Sequence, residues 1–324
     1  MCVKIITIDY NTGKEKAQIR QINMAQFKYL LYKKQELEKN GILPEDLRLL
    51  FEKVRQHQVA VIGINAQSLP QYMNLQGISP ESALVLAATD RTLGELKGLP
   101  IASVGCRSLA FPHEELYQAD VLAEAFWEVD YDFLERIYQR RHGIPWRVIE
   151  TKRCYLREMT LSDLPELYAL YKDAGFSRYI DPLHSWEEEI EYTKAYIEHM
   201  YRFYGFGMWL IIDRFTDELI GRAGFNLIEG EEDPVLEMGY AIAVDRQKQG
   251  YAAEVCRALI VYAKEEEMGF DKIYCFVQKE NVASLGLLKK LGFRFCRECM
   301  RDGKSVLLYE YDLTNCELGG CCVF

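Results

Sequence analysis

At 324 residues the chain exceeds the about 250 to 300 residues at which a single hydrophobic core stops growing, so its length favours two domains. A composition of 49% hydrophobic, 12% aromatic and 27% charged residues excludes a disordered chain, because enough apolar surface is available to offset the entropy lost on folding. The formal net charge of −10 argues against nucleic acid as a partner, since phosphates attract lysine and arginine.

We expect a soluble, cytoplasmic protein without a membrane anchor. Its apolar runs, such as residues 83–88 and 258–263, are far shorter than the roughly 20 residues that cross a bilayer, and the first residues lack a signal pattern. Ten scattered cysteines then indicate reduced thiols. The single CxxC pair, Cys296 and Cys299, has no companion at zinc spacing, so no metal site is expected. Residues 321–324 (CCVF) match a prenylation pattern, but no polybasic stretch precedes them.

The first half of the chain has the pattern of a small α/β layer. Residues 45–56 and 92–96 are predicted helices, and short apolar runs bounded by turn residues indicate buried parallel strands at 59–64, 83–88 and 100–104.

A domain boundary is predicted after a helix over residues 131–142, which residues 143–145 (GIP) terminate. We therefore expect a first domain over 1–145, a second over 146–313 and a flexible tail over 314–324.

The second half is predicted to be an α+β domain that contains an antiparallel meander. Thr160 and Asp163 have capping-box spacing before a helix through Tyr171, and residues 186–204 continue helical. The other predicted elements are strands at 154–157, 208–212, 219–227 and 235–244, a helix at 251–267, a strand at 272–277, a helix at 282–291, and strands at 293–298 and 305–311.

Residues 246–252 (RQKQGYA) lie between a predicted strand and a predicted helix, and this segment is the candidate binding loop. Such a turn directs the unpaired N–H groups of a helix start at one point, where the helix dipole also favours negative charge, so it can hold a phosphate or diphosphate. Gly250 allows close backbone approach, and the small Ala252 keeps the first turn clear. The alternative is that Gly250 only permits a tight turn.

Two motifs in this half resemble those of the GNAT family of N-acetyltransferases. Residues 247–252 match the family's Q-x-x-G-x-A acetyl-coenzyme A loop, and residues 281–284 (NVAS) with 290–293 (KLGF) match its second motif. Three further segments resemble the branch that acetylates protein amino termini: residues 207–209 (GMW), 218–221 (ELIG) and 236–240 (LEMGY). The resemblance covers about residues 150–313.

The resemblance implies a mixed, strongly twisted sheet whose fourth and fifth strands splay apart, with the thioester in the opening. Those strands would be residues 235–244 and 272–277. The family also implies which residues contact acetyl-coenzyme A, namely Ala241, Ile242, Ala243, Val244, Gln247, Lys248, Gln249, Gly250, Tyr251, Ala252 and Asn281. Of these, the backbone amides of residues 241–244 would polarise the thioester carbonyl.

Transfer of an acetyl group to an amine needs a base for the amine and a proton for the departing thiolate. Glu237 is the candidate general base, directly or through water. The alternative is an ordinary solvent-facing carboxylate, because strand alternation alone does not decide which face Glu237 occupies.

Many family members place a tyrosine, as general acid, four residues before the Gly-Phe pair, where this chain has Leu288. Ser284 is the candidate substitute, although a serine near a helix start can equally bond the local backbone. The thiolate can also leave without a dedicated acid, since a thiol has an ordinary pKa of about 8.5. Asn281 is expected to cap the following helix, to contact the pantetheine arm, or to do both.

Two further groups of residues leave two interpretations open. Phe203, Tyr204, Phe206 and Trp209 could line an acceptor pocket or pack the core. The acidic turn at residues 229–233 could attract a cationic amine or simply be solvated.

Residues from about 45 to 145 weakly resemble a haloacid-dehalogenase-type Rossmannoid domain. The similar segments are 59–65, 84–90 and 100–105. That family's phosphatase chemistry needs a nucleophilic aspartate, a second aspartate two residues later, and a magnesium carboxylate. Here Asn11 stands two residues after Asp9, and Asp90 could be either a metal carboxylate or a cap. We expect a degenerate, non-hydrolytic domain.

The sequence thus predicts an α/β plus α+β protein that transfers an acetyl group from acetyl-coenzyme A to an amine by direct attack. The acceptor would be an amine-bearing small molecule or a protein amino terminus, with no nucleic acid or membrane partner. Two alternatives remain: a phosphatase with a coenzyme A-sensing second half, and a non-catalytic coenzyme A-binding protein.

Overall fold

The computed structural model describes residues 26–38, 41–107, 111–124, 129–228, 235–265 and 268–314, together with the backbone of two short paired strands, β1 (Thr7–Ile8) and β2 (Glu15–Lys16). The chain divides into two compact units, Met1–Ile144 and Pro145–Phe324. No helix in the described part is both long and apolar enough to cross a membrane. Asp9, Asn11, the acidic turn at 229–233 and residues 321–324 lie outside the described residues.

A parallel five-stranded sheet in the order β4-β3-β5-β6-β7 forms the centre of the first unit. Its strands are β3 (Tyr29–Lys33), β4 (Ala60–Ile64), β5 (Ala83–Ala87), β6 (Ala102–Cys106) and β7 (Val121–Ala123). The helices of this unit are α1 (Lys34–Leu37), α2 (Glu45–Gln56), α3 (Leu69–Gln76), α4 (Asp90–Glu95) and α5 (Tyr131–Arg141). Every residue of β5 and β6 is buried, as expected for parallel strands covered on both faces. The predicted parallel α/β layer is confirmed, while β3, β7 and α3 are additional to the prediction.

A mixed eight-stranded sheet in the order β14-β15-β13-β12-β11-β10-β9-β8 forms the second unit. Its strands are β8 (Arg147–Glu150), β9 (Cys154–Arg157), β10 (Met208–Asp213), β11 (Leu219–Ile228), β12 (Val235–Ile242), β13 (Lys272–Gln278), β14 (Arg294–Arg301) and β15 (Lys304–Asp312). Its helices are α6 (Leu164–Tyr171), α7 (Ala174–Ser177), α8 (Trp186–Tyr196), α9 (Tyr251–Glu265) and α10 (Val282–Leu291). All neighbouring strands are antiparallel except β12 and β13, which are parallel. The predicted meander and mixed sheet are confirmed.

Local side-chain signals set several boundaries in this unit. Thr160 and Asp163 form the predicted capping box, which leads through one 3-10 turn into α6. Strand β12 ends at Ile242, two residues earlier than predicted, because a 3-10 turn begins at Val244 and the Arg246 N–H donates to the Ala243 carbonyl at 2.9 Å. Helix α8 continues as a π-helix, Ile197–Tyr204.

The aromatic cluster of the second unit is divided between core and surface. Trp209 is 0% exposed and Phe206 is buried in the same core, where Phe225 meets Trp209 edge to face. Phe203 is 75% exposed and Tyr204 is 40% exposed on the π-helix. Packing therefore explains two members of the cluster and leaves the other two at the surface.

Candidate active site

The parallel pairing between β12 and β13 is short, and the two strands then separate. Glu237 and Tyr274 form the last strand pair, and just beyond them the Cys275 thiol donates to the Met238 carbonyl at 3.4 Å. No further strand pairing joins the described residues of β12 and β13. An opening therefore begins after Met238, between the two strands where the family resemblance implies the thioester.

The register of β12 against β11 decides which backbone groups of β12 face this opening. The Ala243 N–H donates to the Ile220 carbonyl at 2.8 Å, and an antiparallel ladder exchanges hydrogen bonds at every second residue. Ala243 and Ala241 therefore serve the bond to β11, whereas the backbone groups of Tyr240 and Ile242 point toward β13. Of the four amides expected to polarise a carbonyl, the one at Ile242 is thus directed into the opening.

The loop that follows β12 has two residues in the left-handed backbone region, Lys248 with φ of 59° and Gly250 with φ of 86°. The side chains of two glutamines in this loop donate hydrogen bonds to backbone carbonyls that precede them in the chain. Gln247 donates to the Ile242 carbonyl at 3.0 Å, and Gln249 donates to the Asp245 carbonyl at 2.6 Å. These side-chain amides are occupied by the protein itself, so a ligand would meet mainly the backbone of the loop.

Tyr251, the first residue of α9, presents little but its backbone to a ligand. Its ring lies beneath the Arg153 guanidinium, 4.0 Å from the ring centroid, and its hydroxyl donates to Asp213 at 3.2 Å. The small residue Ala252 follows in the first turn, which leaves the start of the helix free of bulky side chains.

Helix α10 brings the second motif to the same end of β12. The Asn281 side-chain oxygen accepts a hydrogen bond from the Ser284 N–H at 3.2 Å, so Asn281 caps the helix as expected. The Tyr240 hydroxyl is buried and has no hydrogen-bond partner among the described residues. Burial raises the pKa of Tyr240 above its ordinary value, and the nearby Ser284 side chain opposes that rise. A buried phenol and a serine hydroxyl thus meet beside the opening.

Glu237 is held by a guanidinium rather than exposed to solvent. Arg301 donates to both of its carboxylate oxygens, at 2.5 and 2.9 Å, and the Glu237 side chain is 13% exposed. The same guanidinium lies 4.6 Å above the Phe276 ring. The pair lines a cavity of about 490 Å³. The cavity walls include Tyr192, Tyr196, His199 and Asn226.

Leu288, which occupies the position of the family's usual acid, is 0% exposed and belongs to the core of the unit. It makes no polar contribution to the opening. The hydroxyls nearest the expected place of that acid come from Ser284 and Tyr240.

Comparison with known proteins identifies the family. Residues 153–294 match the family model described as an acetyltransferase (GNAT) domain. The uncharacterized N-acetyltransferase YoaA of Bacillus subtilis is 30% identical over 149 residues, which span 45% of this chain and 82% of that protein. The chain belongs to the GNAT acetyltransferase family. It is therefore an acyltransferase.

Two further similarities accompany this assignment. YnaD of Bacillus subtilis, also described as an uncharacterized N-acetyltransferase, is 30% identical over 160 residues, or 48% of this chain and 90% of that protein. A GNAT-family acetyltransferase structure from Bordetella pertussis is 24% identical with a TM-score of 0.44, covering 51% of this chain and 99% of that one. The residues of the GNAT match fall within the second unit.

The first unit has a different polar cluster, at the carboxyl ends of β3 and β5. The sheet order places its switch point between these two strands, where open α/β sheets bind ligands. Lys33 and Glu95 form an ion pair of 2.6 Å there, with 4% and 18% of their side chains exposed. Glu36 accepts from the Ala88 N–H at 3.0 Å and the Thr89 hydroxyl at 2.9 Å. The protein's own side chains thus satisfy one another at this point.

Asp90 serves a neighbouring loop of the first unit. Its carboxylate accepts from the Leu116 N–H at 2.9 Å and the Glu115 N–H at 3.1 Å, while Thr89 caps α4 through the Thr92 N–H. Among the described residues, no group of three or more His, Cys, Asp or Glu is arranged to hold a metal ion.

Three residues of the candidate site were missed by sequence reasoning. Tyr240 lies in the LEMGY segment, but strand alternation places its side chain on the opposite face of β12 from Glu237, so the spacing of these two residues gave no signal for it. Arg301 meets Glu237 from 64 residues away, and Arg153 reaches the loop from 96 residues away. No local pattern marks either arginine, because their partners become neighbours only in the folded sheet.

Proposed function

We propose that the second unit transfers an acetyl group from acetyl-coenzyme A to an amine by direct attack. The observation that carries this proposal is the opening between β12 and β13. It begins after Met238, leaves the backbone groups of Tyr240 and the Ile242 N–H directed away from β11, and lies on the strand that leads directly into the loop before α9. A carrier with a diphosphate at the loop could lay its thioester arm along that strand.

The coenzyme would be held mainly by backbone groups. The diphosphate would meet the N–H groups of the loop around Gly250, residues 247–252, and the pantetheine arm would bond the free backbone of β12, with Asn281 at the far side. The Ile242 N–H would polarise the thioester carbonyl. The family's use of acetyl-coenzyme A as co-substrate fits this donor set, which is rich in N–H groups around an open edge.

The reaction forms one C–N bond and breaks one C–S bond. The amine nitrogen attacks the thioester carbonyl carbon, the sulfur leaves as a thiolate, the amine gives up one proton, and the thiolate receives one. Glu237 is proposed as the acceptor of the amine proton. Because Arg301 occupies one lone pair on each oxygen, Glu237 would act through a remaining lone pair or a water molecule.

Ser284 is proposed as the hydroxyl that protonates the thiolate or donates a hydrogen bond to it. Its N–H is bonded to the Asn281 cap, which fixes the start of α10, and its side chain lies near enough to Tyr240 to lower the pKa of that phenol. This placement supports Ser284 as the substitute for the acid that Leu288 cannot supply.

The acceptor would enter the cavity that Glu237 and Arg301 line. Its volume of about 490 Å³ suits one amino-acid-sized group, and the aromatic walls formed by Tyr192, Tyr196 and His199 suit an amine next to an apolar surface. A protein amino terminus and a small amine are both proposed. An α-amino group, with a pKa of about 7.7 to 8.0, is more easily neutral at physiological pH than lysine at about 10.4.

The first unit is proposed to be a degenerate haloacid-dehalogenase-like domain without phosphatase activity. The Lys33–Glu95 ion pair fills the switch point, and Asp90 is occupied by two backbone N–H groups. The full chain should accordingly release no phosphate from phosphate esters in magnesium. Magnesium-dependent release that Asp9→Asn abolishes would contradict this assignment.

Incubation with labelled acetyl-coenzyme A and a panel of amines and peptides tests the transferase proposal. Wild type should label at least one amine class, while Gly250→Asp should lose coenzyme binding, because a carboxylate would enter the anion site. Glu237→Gln should lower kcat by about 10²- to 10⁴-fold, the usual contribution of a general base. The matched control is Glu298→Gln, which changes a surface carboxylate on β14. Full turnover in Glu237→Gln across pH would exclude Glu237 as the base.

A further inference from the structure

Arg153, at the approach to β9, makes four contacts that converge on the back of the candidate diphosphate loop. Its backbone N–H donates to Glu254 Oε1 at 2.8 Å, and its Nε donates to Glu254 Oε2 at 2.7 Å. Its Nη1 donates to the Gln249 carbonyl at 2.9 Å, and its guanidinium covers the Tyr251 ring at 4.0 Å. One side chain therefore joins the loop, the first turn of α9 and the neighbouring strand.

The contact with the Gln249 carbonyl sets the direction of a backbone donor. In a planar trans peptide the C=O and the following N–H point in opposite directions. With the Gln249 carbonyl drawn toward Arg153, the Gly250 N–H is turned away from Arg153. The left-handed φ of Gly250 and Lys248 on either side allows this peptide orientation.

The contacts with Glu254 remove an electrostatic obstacle. Glu254 lies in the first turn of α9, so its carboxylate stands near the position where a bound diphosphate would carry negative charge. Its oxygens also accept from the Thr151 hydroxyl at 2.8 Å. Although burial acts to raise it, the hydrogen bonds from Arg153 and Thr151 hold the pKa of Glu254 below its ordinary value. The carboxylate is thus ionised but turned to its cation and away from the loop.

We propose that Arg153 is a positioning residue for the coenzyme diphosphate: it orients the Gly250 N–H and neutralises Glu254 at the start of α9. This inference rests on the proposed function and adds a residue outside the two family motifs, 96 residues before Gln249 in the sequence. Arg153 acts through the loop, so its effect belongs to binding of the phosphates and not to the transfer step.

Two ligands separate this role from a merely structural one. Coenzyme A carries the diphosphate, whereas pantetheine carries the same thiol arm without phosphates. We expect Arg153→Met to weaken coenzyme A binding by about 10- to 100-fold, the range for losing charge-assisted hydrogen bonds, measured by calorimetry. Pantetheine binding should stay within about 2-fold, because its contacts lie on β12. In turnover, KM for acetyl-coenzyme A should rise while kcat stays nearly unchanged.

Matched variants separate the two parts of the proposal. Arg153→Lys keeps the charge but loses the fork that reaches both Glu254 and Gln249, so it should weaken coenzyme A binding less than Arg153→Met. Adding Glu254→Gln to Arg153→Met should restore part of the affinity, because the unpaired carboxylate is gone. Arg294→Met, which removes a guanidinium of the edge strand β14 that pairs with Glu310 on β15, is the control and should bind as wild type. Thermal unfolding confirms that each variant is folded.

The outcomes are distinguishable from those of the transferase proposal. If Arg153→Met binds coenzyme A as wild type does, or loses pantetheine equally, the positioning role is wrong while the transferase proposal stands. If the double variant regains no affinity, charge neutralisation is wrong. If wild type binds coenzyme A but acetylates no amine, the proposed function fails and the role of Arg153 is still decided by the binding constants. A wild type that binds no coenzyme A overturns both.

Discussion

Asn281 is expected to do two jobs that substitution can separate. Its side-chain oxygen accepts from the Ser284 N–H at 3.2 Å, and the opposite end of the same amide would donate to the pantetheine arm. Asn281→Ala removes both contacts and should lower the free energy of unfolding by about 1 kcal/mol, within the range of about 0.5 to 2 kcal/mol that is usual for loss of an N-cap. For a unit of this size the midpoint of thermal unfolding should fall by about 2 to 4 °C.

Asn281→Asp keeps the capping oxygen and removes only the donor. A carboxylate at a helix start also benefits from the helix dipole, so stability should stay within about 0.5 kcal/mol of wild type. KM for acetyl-coenzyme A should nevertheless rise by about 3- to 10-fold, the value of one hydrogen bond. The assay pairs thermal melts with initial rates at varied acetyl-coenzyme A.

The control is Asp130→Ala, which removes the cap of α5 in the first unit, where Asp130 accepts from the Phe133 N–H at 2.7 Å. It should cost similar stability without changing KM. If Asn281→Asp melts as early as Asn281→Ala, the capping argument is wrong. If Asn281→Asp has the wild-type KM, the amide does not contact the coenzyme and Asn281 is only a cap.

Three further predictions follow from burial, backbone geometry and charge. Leu288→Tyr should lower the free energy of unfolding by about 2 to 5 kcal/mol in denaturant melts, because a ring and an unpaired hydroxyl would enter a fully buried site. It should not raise kcat. A variant that is as stable as wild type and has a higher kcat would contradict this prediction. Gly250→Ala should lower the free energy of unfolding by about 1 to 2 kcal/mol, because alanine is strained at the left-handed φ of 86°. The added Cβ would not clash, since its nearest neighbour, Arg153 Nη2, lies 3.5 Å away. An unchanged melting temperature would be evidence against this backbone geometry. Because its pKa is lowered, the Glu254 carboxylate contributes fully to stability above its unfolded-state pKa, and this contribution is lost as pH falls through its native-state pKa. The melting temperatures of wild type and Glu254→Gln should therefore converge toward acid pH. A difference in melting temperature that stays constant down to pH 3 would refute this linkage.

Two helices, α10 and α2, were predicted to the residue. Helix α10 begins after Asn281 and ends at Gly292, whose φ of 89° terminates it, and both signals are visible in the sequence. Helix α2 likewise spans the predicted residues 45–56. Strand β3 was missed, because the lysines at its carboxyl end interrupt a short apolar run, although four of its five residues are buried.

The site shows the same division between local and long-range information. The positions of Gly250 and Asn281 depend on backbone geometry within a few residues, so a motif suffices to place them. The surroundings of Glu237 depend on which strand lies opposite it, and the sequence left its face undecided. Only the sheet shows that Arg301 holds Glu237 at the wall of the cavity.

Substitution of Arg301 and substitution of Arg153 should change different kinetic constants. Arg301 and Arg153 each pair with a carboxylate on a neighbouring element, but Arg301 faces the cavity proposed for the acceptor and Arg153 lies behind the loop proposed for the coenzyme. Loss of Arg301 should therefore alter kcat or the KM of the amine, since it leaves Glu237 without its partner, whereas loss of Arg153 should alter the KM of acetyl-coenzyme A. Because the two pairs share no partner, the double variant should show the product of the two single effects. A strongly non-additive double variant would mean that both arginines act on one substrate, and the assignment of Arg301 to the acceptor and Arg153 to the coenzyme would be wrong.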